Sequence, residues 1–451
     1  MKKVLLLGAG LVARPLVRYL LEKARFQVTI ATRTVSKADA LAAGHPRAKF
    51  TTLLADQEEK LSRLVAEHDL AVSLLPAPLH PTVAEACVRH RKHMVTTSYV
   101  SPAMRAFDQP AKDAGVILLN EIGVDPGIDH MSAMRVIDHV RSQGGQVTHF
   151  KSYCGGLPAP DANNNPWGYK FSWSPRGVCT AGKNSARYLL DGRMVDIPSK
   201  DLFTDNRHGM RVEGVGELEA YPNRDALSYI DTYNLQGVKT MFRGTFRYPG
   251  WCNTLKAVVD LGLLDETLTT YPAGTTYAKY TRGFLKGPST GKLRNDVAAF
   301  LKMDARANPL DRLEWLGLFG DEPLTITGKQ TTPLDVLANL MEQKMQYAPG
   351  ERDMIVMCHS FVAEYPSAPA QFITSTLVDF GVPHQDTSMA RTVSLPAAVA
   401  VRLILDGKMP KTGVRIPVEP DIYNPVLDQL AGMGIAMQEK TVPYNAPRKK
   451  G

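Results

Sequence analysis

Cysteine is scarce in this chain of 451 residues, and the five cysteines are scattered without any Cys-x-x-Cys pair. A disulfide framework needs a dense and paired set of cysteines, and a zinc site needs closely spaced ligands. The cysteine pattern therefore argues against both, and we predict no metal site.

Long apolar runs are also absent, since none reaches the roughly 18 residues that a membrane span needs. The first apolar run, Val4–Leu7, is too short for a signal peptide and fits a first β-strand better. We therefore expect a cytoplasmic protein without a membrane partner.

The composition, 44% hydrophobic and 22% charged, is that of a globular protein, and the length predicts two or three domains. The net charge of +8 fits either nucleic acid or small anionic ligands. Basic residues are dispersed, apart from a tail at 448–450 that we expect to be a solvated end. We therefore predict no nucleic-acid partner.

A glycine-rich turn follows the first strand. Gly8 and Gly10 come directly after Val4–Leu7, with an alanine in the third glycine place, and an apolar helical pattern continues. Such a turn lets the backbone approach a pyrophosphate at a helix N-terminus. It predicts a dinucleotide-binding fold, with Leu11 and Val12 also in contact with the cofactor.

No acidic residue stands where NAD-binding folds usually carry Asp or Glu, about 20 residues past the turn. Thr32, Arg33 and Thr34 occupy that place instead. A carboxylate would repel a 2′-phosphate, whereas arginine can bind it in a charge-assisted contact. The segment favours NADP over NAD, the alternative being a solvated surface arginine. Asp56, after the third strand, either caps a helix or lies near the adenine.

Strands and helices alternate up to about residue 130, which predicts a parallel sheet with a cofactor over the carboxyl ends of its strands. Leu75 ends one strand and is a predicted cofactor contact, and Ser98 and Tyr99 end another. Asp125 ends a third strand and lies within the stretch 120–130. The alternative for Asp125 is a helix cap.

The order of the patterns predicts an α/β fold with three domains. Residues 1–125, completed by 390–451, form a Rossmann dinucleotide-binding domain. Residues 126–253 and 349–389 form an α+β substrate and dimerisation domain with a mixed sheet, and 254–348 form an all-α insertion.

Aromatic residues alternate between positions 167 and 173 (Trp167, Tyr169, Phe171 and Trp173). They indicate either a half-buried strand or a ligand-facing flap, and we favour core packing for most of the rings. Ser174, at the end of this run, is a predicted cofactor contact.

A later strand, 240–248, has two contrasting faces. At a period of two, its aromatic side chains lie on one face and Arg243, Thr245 and Arg247 on the other. The polar face is either wet surface or a carboxylate-binding wall, and the pattern alone leaves both open.

Several blocks resemble the saccharopine reductase family, the glutamate-forming saccharopine dehydrogenases. The blocks are 8–10, 95–104, 120–130, 152–160 and 221–225, with 243–248 and 349–353 in addition. They span most of the chain, and the segment at 32–34 looks like that of the NADP-using members.

The resemblance implies an oxidoreductase of lysine metabolism. Such enzymes use NADP(H) to interconvert L-saccharopine with L-glutamate and α-aminoadipate semialdehyde through an imine. Saccharopine carries three carboxylates, so its site needs fixed cations and hydrogen-bond donors. The implied substrate-binding residues are Ser98, Tyr99, Asp125, Arg224, Thr245, Phe246 and Arg247.

Proton transfer must accompany the hydride transfer. Asp125 is the predicted group near the nicotinamide, and Tyr99 and Cys154 are candidates for orientation or proton relay. The alternatives are packing for Tyr99 and a small buried apolar residue for Cys154. A single essential base is not required, because the cofactor carries out the redox step.

Three competing functions remain open from the residues: an NAD-dependent saccharopine dehydrogenase of lysine breakdown, a carboxynorspermidine-type condensing dehydrogenase and a silent NADP-binding sensor. The physiological direction and the oligomeric state are also open. An exposed edge in the second sheet would allow a homodimer.

Overall fold

The computed structural model describes residues 1–287 and 289–445, so the basic tail at 448–450 lies outside the described residues. The chain divides into two compact units, Met1–Val147 with Val362–Gly451 and Thr148–Phe361. This division assigns 126–147 and 362–389 to the first unit, whereas the sequence patterns assigned them to the second domain. The three-domain boundaries stay a prediction.

Strands and helices alternate in the first segment of unit 1, as the patterns predict. In chain order they are β1 Lys3–Leu7, α1 Ala13–Arg18, β2 Gln27–Thr32, α2 Val35–Ala42, β3 Ala48–Thr52, α3 Glu58–Ala66, β4 Leu70–Ser73, α4 His80–Arg89, β5 His93–Thr96, α5 Pro102–Arg105, α6 Asp108–Ala114, β6 Ile117–Leu119 and α7 Ile128–Ser142.

The middle of the chain holds longer strands and a run of helices. In chain order they are β7 Gln146–Pro158, α8 Pro175–Ala181, β8 Ala186–Leu190, β9 Arg193–Ile197, β10 His208–Val212, β11 Gly216–Pro222, α9 Ser228–Thr232, β12 Thr240–Arg247, α10 Trp251–Leu261, β13 Thr269–Thr270, α11 Tyr277–Arg282, α12 Leu293–Phe300, α13 Asn308–Leu316, β14 Gln330–Thr331, α14 Pro333–Lys344 and β15 Asp353–Tyr365.

The final segment returns to unit 1. It contains β16 Ala368–Phe380, α15 Ser388–Leu405, β17 Gly413–Arg415, α16 Pro420–Ala431 and β18 Gln438–Pro443. The strands β16 and β18 pair in antiparallel register.

A parallel sheet of seven strands, counted over the described residues, forms the centre of unit 1. Its order is β17-β6-β5-β4-β1-β2-β3, and each neighbouring pair is parallel. Apart from the exposed Lys3, all residues of its central strands β1 and β4 are buried, as expected for a parallel sheet covered on both faces. The predicted Rossmann-type fold is thus confirmed, and the C-terminal segment contributes β17 to this sheet.

The helix α15 is long and apolar enough, by length and composition alone, to cross a membrane, which the sequence patterns did not predict. However, 72% of it is buried inside the structure, and it packs against α1 and α16. We therefore interpret α15 as a core helix of unit 1.

The strands of unit 2 in the mixed sheet have the order β10-β11-β12-β7-β15, and β8 also pairs with β12, with β9 paired to β8. The strand β12 runs parallel to β7 and antiparallel to β11. The strand β7 continues through Gly155 and Gly156 to Pro158. A Cβ at position 155 would lie 2.7 Å from the carbonyl oxygen of Phe246, so glycine is needed for the close approach of β12.

The helices α10 to α14 form the predicted helical region, together with a short two-stranded ladder, β13 and β14. The aromatic run at 167–173 forms no strand. Trp167 and Tyr169 are fully buried, and their ring centroids lie 5.8 and 4.7 Å from that of Trp251. The favoured interpretation, core packing, is correct for these two rings.

Candidate active site

A cavity of about 370 Å³ opens at the carboxyl ends of β1, β2 and β4 in unit 1. Six of the predicted cofactor residues line it: Gly8, Gly10, Thr32, Arg33, Thr34 and Leu75. In an open parallel sheet, this edge is where ligands bind. The structure therefore brings together residues that lie as far apart as positions 8 and 75 in the sequence.

The two positions of the turn, 8 and 10, carry glycine for different local reasons. Gly8 has a φ of +103°, and a Cβ there would lie 3.0 Å from the carbonyl oxygen of Leu74, so the fold itself requires glycine. At Gly10 an added Cβ would meet nothing within 4 Å. The absence of a side chain at Gly10 therefore serves the space of the cavity and not the packing of the chain.

Arg33 follows β2 and is exposed at the wall of this cavity. Within residues 1–287 and 289–445, no Asp or Glu lines the cavity. A wall with a guanidinium group and threonine hydroxyls but no carboxylate is complementary to a 2′-phosphate. The cavity thus fits the phosphorylated dinucleotide that the sequence predicted.

Other predicted cofactor residues lie outside this lining. Leu11 is 70% exposed, Val12 is half-buried and Asp56 is exposed. Ser174 lies in unit 2, where its Oγ accepts a hydrogen bond from Gly177 N at 3.2 Å as the N-cap of α8. Gln57 lines the cavity next to Asp56 and carried no motif that would single it out.

A second group of predicted residues meets at the ends of β5 and β6. The Tyr99 hydroxyl donates to Asp125 Oδ1 at 3.1 Å. Asp125 is half-buried, whereas every other residue of the stretch 120–130 is buried. A carboxylate that remains accessible in a buried segment is available for a ligand, and α7 begins only at Ile128.

Glu121 holds this pair of strand ends together, and sequence reasoning gave it no role. Its Oε1 accepts a hydrogen bond from Val100 N at 2.9 Å, and its Oε2 lies 2.8 Å from His130 Nε2. Glu121 has a positive φ of 57°, a conformation that is uncommon for residues other than glycine. The position of this acid inside the stretch 120–130 was the only available signal.

Ser98 also lies at the end of β5 and is half-buried. Its Oγ is 2.8 Å from Nε2 of His80, the first residue of α4. His80 is 1% exposed, and burial lowers its pKa to about 4. Nothing in the sequence pattern connected His80 with Ser98.

In unit 2, Arg247 is 4% exposed, which excludes the wet-surface interpretation of its face of β12. Its guanidinium carbon lies over the rings of Tyr169, Trp251 and Tyr221, at 5.1, 5.3 and 5.9 Å from their centroids. Its Nη1 donates to the carbonyl oxygen of Phe246 at 2.7 Å. Among the described residues, its buried Nε has no hydrogen-bond partner.

The groups around Arg247 leave it able to bind an anion. Burial is the largest cause that raises the pKa of Tyr169 and of Tyr221, so both phenols are neutral near pH 7. Glu219 lies opposite Arg247 on β11, but its Oε1 accepts a hydrogen bond from Cys252 N at 2.7 Å. A buried guanidinium group with an unused N–H donor is suited to a carboxylate.

The other predicted residues of unit 2 differ in exposure. Thr245 is half-buried and lies beside Cys154, which is 8% exposed on β7. Arg224 is exposed, with a φ of 53°. Phe246 is fully buried against Tyr153, with ring centroids 5.2 Å apart, so any contact of Phe246 with a substrate would come from its backbone.

In the part of the chain that the structure describes, no group of three or more His, Cys, Asp or Glu side chains has the arrangement of a metal site. All five cysteines are buried, and no two of them form a disulfide.

Two family models match the chain: "Saccharopine dehydrogenase NADP binding domain" at residues 4–119 and "Saccharopine dehydrogenase C-terminal domain" at residues 123–435. The chain is 41% identical to "Saccharopine dehydrogenase [NADP(+), L-glutamate-forming]" of Schizosaccharomyces pombe, over 98% of this chain and 99% of that protein. The protein of the same name from Saccharomyces cerevisiae is 39% identical over the same shares of the two chains.

A mitochondrial alpha-aminoadipic semialdehyde synthase of Bos taurus is 38% identical over 96% of this chain but only 47% of its own length. Among solved structures, the apo saccharopine dehydrogenase (L-Glu forming) of Saccharomyces cerevisiae superimposes with a TM-score of 0.88. It is 38% identical, and the match covers 98% of this chain and 100% of that one.

Proposed function

The chain belongs to the saccharopine dehydrogenase family, and on that premise we propose its activity and the residues that carry it out. It is an NADP-dependent oxidoreductase that interconverts L-saccharopine with L-glutamate and α-aminoadipate semialdehyde in lysine metabolism. The structural observation that best supports this substrate is the buried Arg247 guanidinium group, whose Nε is without a partner among the described residues.

The acid-free cavity of unit 1 supports our assignment of the cofactor residues. Gly8 and Gly10 would let the pyrophosphate approach the backbone, and Arg33 with Thr32 and Thr34 would hold the 2′-phosphate. When bound, NADP supplies the hydride acceptor for oxidation of the secondary amine of saccharopine.

Fixed cations and donors would bind the three carboxylates of saccharopine. We assign one carboxylate to Arg247, since binding an anion would satisfy its buried Nε. We also assign Thr245, the exposed Arg224 and the Ser98 hydroxyl as substrate ligands. These contacts orient the substrate, which is the main contribution of a protein to a cofactor-dependent redox step.

Asp125 and Tyr99 would handle the proton that accompanies oxidation of the amine. Their hydrogen bond of 3.1 Å forms a donor–acceptor pair at the ends of two adjacent strands. The accessible Asp125 carboxylate can accept a proton or orient water for addition to the imine. Cys154, beside Thr245, is assigned an orienting role.

A spectrophotometric assay of the purified chain tests this function. Saccharopine is supplied with NADP or with NAD, and formation of the reduced cofactor is followed by its absorbance. We expect turnover with NADP and a much lower kcat/KM with NAD. The reverse reaction is checked with L-glutamate, α-aminoadipate semialdehyde and NADPH.

The competing functions predict other outcomes of the same assay. Faster turnover with NAD would favour the enzyme of lysine breakdown. Turnover with other aldehyde–amine pairs but not with saccharopine would favour the carboxynorspermidine-type enzyme. No turnover, together with NADP binding, would favour a sensor.

We also propose a homodimer in the cytoplasm that binds neither membranes nor nucleic acid. All residues of β18 are exposed, and an exposed edge strand can pair with a second copy. Five cysteines without a disulfide agree with a reducing compartment. Light scattering of the purified chain tests the dimer, and fractionation of the source cells tests the location and membrane binding. A fluorescence titration with duplex DNA tests nucleic-acid binding.

A further inference from the structure

A chain of hydrogen bonds runs through His80 at the carboxyl ends of β4 and β5. Ser73 Oγ lies 2.9 Å from His80 Nδ1, and His80 Nε2 lies 2.8 Å from Ser98 Oγ. Thr96 Oγ1 is a weaker partner, 3.3 Å from the same Nε2. Ser73 and Thr96 are buried, as is His80, so only Ser98 reaches the accessible surface of this network.

His80 is neutral near pH 7, because burial holds its pKa at about 4. A neutral imidazole carries one N–H donor and one acceptor nitrogen. Two arrangements of protons are therefore available. In one, Nδ1–H donates to Ser73 and Ser98 donates to Nε2. In the other, Ser73 donates to Nδ1 and Nε2–H donates to Ser98.

The two arrangements give Ser98 opposite properties toward an anion. If Ser98 donates to Nε2, its Oγ presents only lone pairs, which repel a carboxylate. If Nε2–H donates to Ser98, the hydroxyl proton of Ser98 remains free for a ligand. Only the second arrangement supports a carboxylate contact, and every donor then points in one direction, from Ser73 through His80 to Ser98.

We propose that His80 is a positioning residue that, as the Nε2–H tautomer, holds Ser98 so that its hydroxyl donates to a carboxylate of the substrate. This inference rests on the proposed function, which makes Ser98 a substrate ligand. His80 acts through Ser98 and touches neither substrate nor cofactor. Its neighbours on α4, Thr82 and Val83, line the cofactor cavity instead, so the effect on substrate and the effect on cofactor can be measured separately.

Two substitutions separate the role of the Nε2 donor from the filling of space. In His80→Gln, the side-chain amide places an N–H donor near the position of Nε2, and in His80→Asn it reaches only the position of Nδ1. We expect His80→Asn to raise the KM for saccharopine about tenfold. We expect His80→Gln to keep the rise below about threefold, and both variants to keep the KM for NADP within about twofold.

A second buried histidine of unit 1 provides the matched control. His68 is 6% exposed and is bonded through Nε2 to Thr29 at 2.7 Å and through Nδ1 to Leu64 O at 2.6 Å. It precedes β4, at the opposite end of the strand from His80. We expect His68→Asn to lower the melting temperature while the KM for saccharopine stays unchanged.

Ser98→Ala distinguishes failure of this inference from failure of the proposed function. If Ser98→Ala leaves the KM for saccharopine unchanged, the assignment of Ser98 to the substrate is wrong, and the His80 inference fails with it. If Ser98→Ala raises that KM but His80→Asn does not, only the inference is wrong. In support of it, adding His80→Asn to Ser98→Ala would cause no further rise.

A measurement on the unsubstituted protein decides the case even if the variants do not fold. Long-range ¹H–¹⁵N correlation spectra of protein with ¹⁵N-labelled histidine distinguish the two neutral tautomers, and the His80 signal is assigned from nuclear Overhauser contacts with its neighbours Ser73 and Ser98. We expect the Nε2–H tautomer. An Nδ1–H tautomer, or equal KM values for His80→Gln and His80→Asn, would overturn the proposal.

Discussion

The cofactor cavity of unit 1 and the Arg247 cluster of unit 2 each contain an arginine that we propose binds an anion, but the surroundings of the two arginines are opposite. Arg33 is exposed at the wall of an open cavity made by a turn and strand ends. Arg247 is 4% exposed, and the rings of Tyr169, Tyr221 and Trp251 surround it.

The difference lies in what each guanidinium group loses when no anion is bound. Water hydrates the exposed Arg33 and screens its attraction to a phosphate, so the gain on binding is small. Arg247 is already removed from water, and its Nε has no substitute partner within the described residues. An anion there restores a missing hydrogen bond in a medium of low polarity, so the gain is larger.

The largest effect expected from this comparison is that of Arg247→Met. The substitution keeps a long apolar side chain among the aromatic rings but removes the charge and its donors. We expect the kcat/KM for saccharopine to fall about 100-fold, as for loss of a charge-assisted hydrogen bond in a buried site. Steady-state kinetics at saturating NADP measure this fall.

Arg187→Met is the control for Arg247→Met, because Arg187 is an exposed arginine of unit 2 that pairs with Asp196 at 2.8 Å. We expect it to change kcat/KM less than twofold. Equal losses in the two variants would remove the distinction between buried and exposed arginines.

Alanine substitutions at positions 8 and 10 test whether each glycine of the turn is required by the folding of the chain or by the binding of NADP. Its positive φ and the short contact with Leu74 predict a loss of about 2 kcal/mol in the free energy of unfolding for Gly8→Ala. Gly10→Ala, which meets nothing within 4 Å, should leave stability unchanged and raise the Kd for NADP. Thermal unfolding and a fluorescence titration measure the two quantities, and similar unfolding for both variants would contradict the distinction.

The charge reversal Arg33→Asp tests the exposed cation. We expect the KM for NADP to rise about tenfold while the kcat/KM with NAD stays the same or increases, since a carboxylate repels only the 2′-phosphate. Arg89→Asp is the control, because Arg89 is an exposed arginine of the same unit that pairs with Glu85. A parallel loss with NADP and NAD would place Arg33 away from the 2′-phosphate.

The smallest effect is that of salt. Raising NaCl from about 0.05 M to about 0.5 M shortens the screening length severalfold. We expect the KM for NADP to increase about threefold and the KM for saccharopine to increase less, because Arg247 is buried and poorly screened. If salt increased the KM for saccharopine more than the KM for NADP, the distinction between the buried and the exposed arginine would be contradicted.

The cofactor cavity of unit 1 was predictable because its motifs are contiguous in the sequence. The turn at 8–10 and the segment at 32–34 each lie next to a strand of regular apolar pattern, and parallel strands bring their carboxyl ends to one edge. The same rule brought Tyr99 and Asp125 together, since each follows one of two adjacent strands. Leu11 and Asp56 lie outside the cavity lining, and their contacts with the cofactor stay predictions.

The parallel sheet, the cofactor segment without acidic residues and the family resemblance could be predicted from the amino-acid order, because they depend on local periodicity and on residues close to each other in the chain. The burial of Arg247 among three aromatic rings, and the contacts of His80 with Ser98 and of Glu121 with Val100, are visible only in the folded chain. Those contacts join residues 18 and 21 positions apart, and burial depends on every element packed around a side chain. No local pattern encodes that environment.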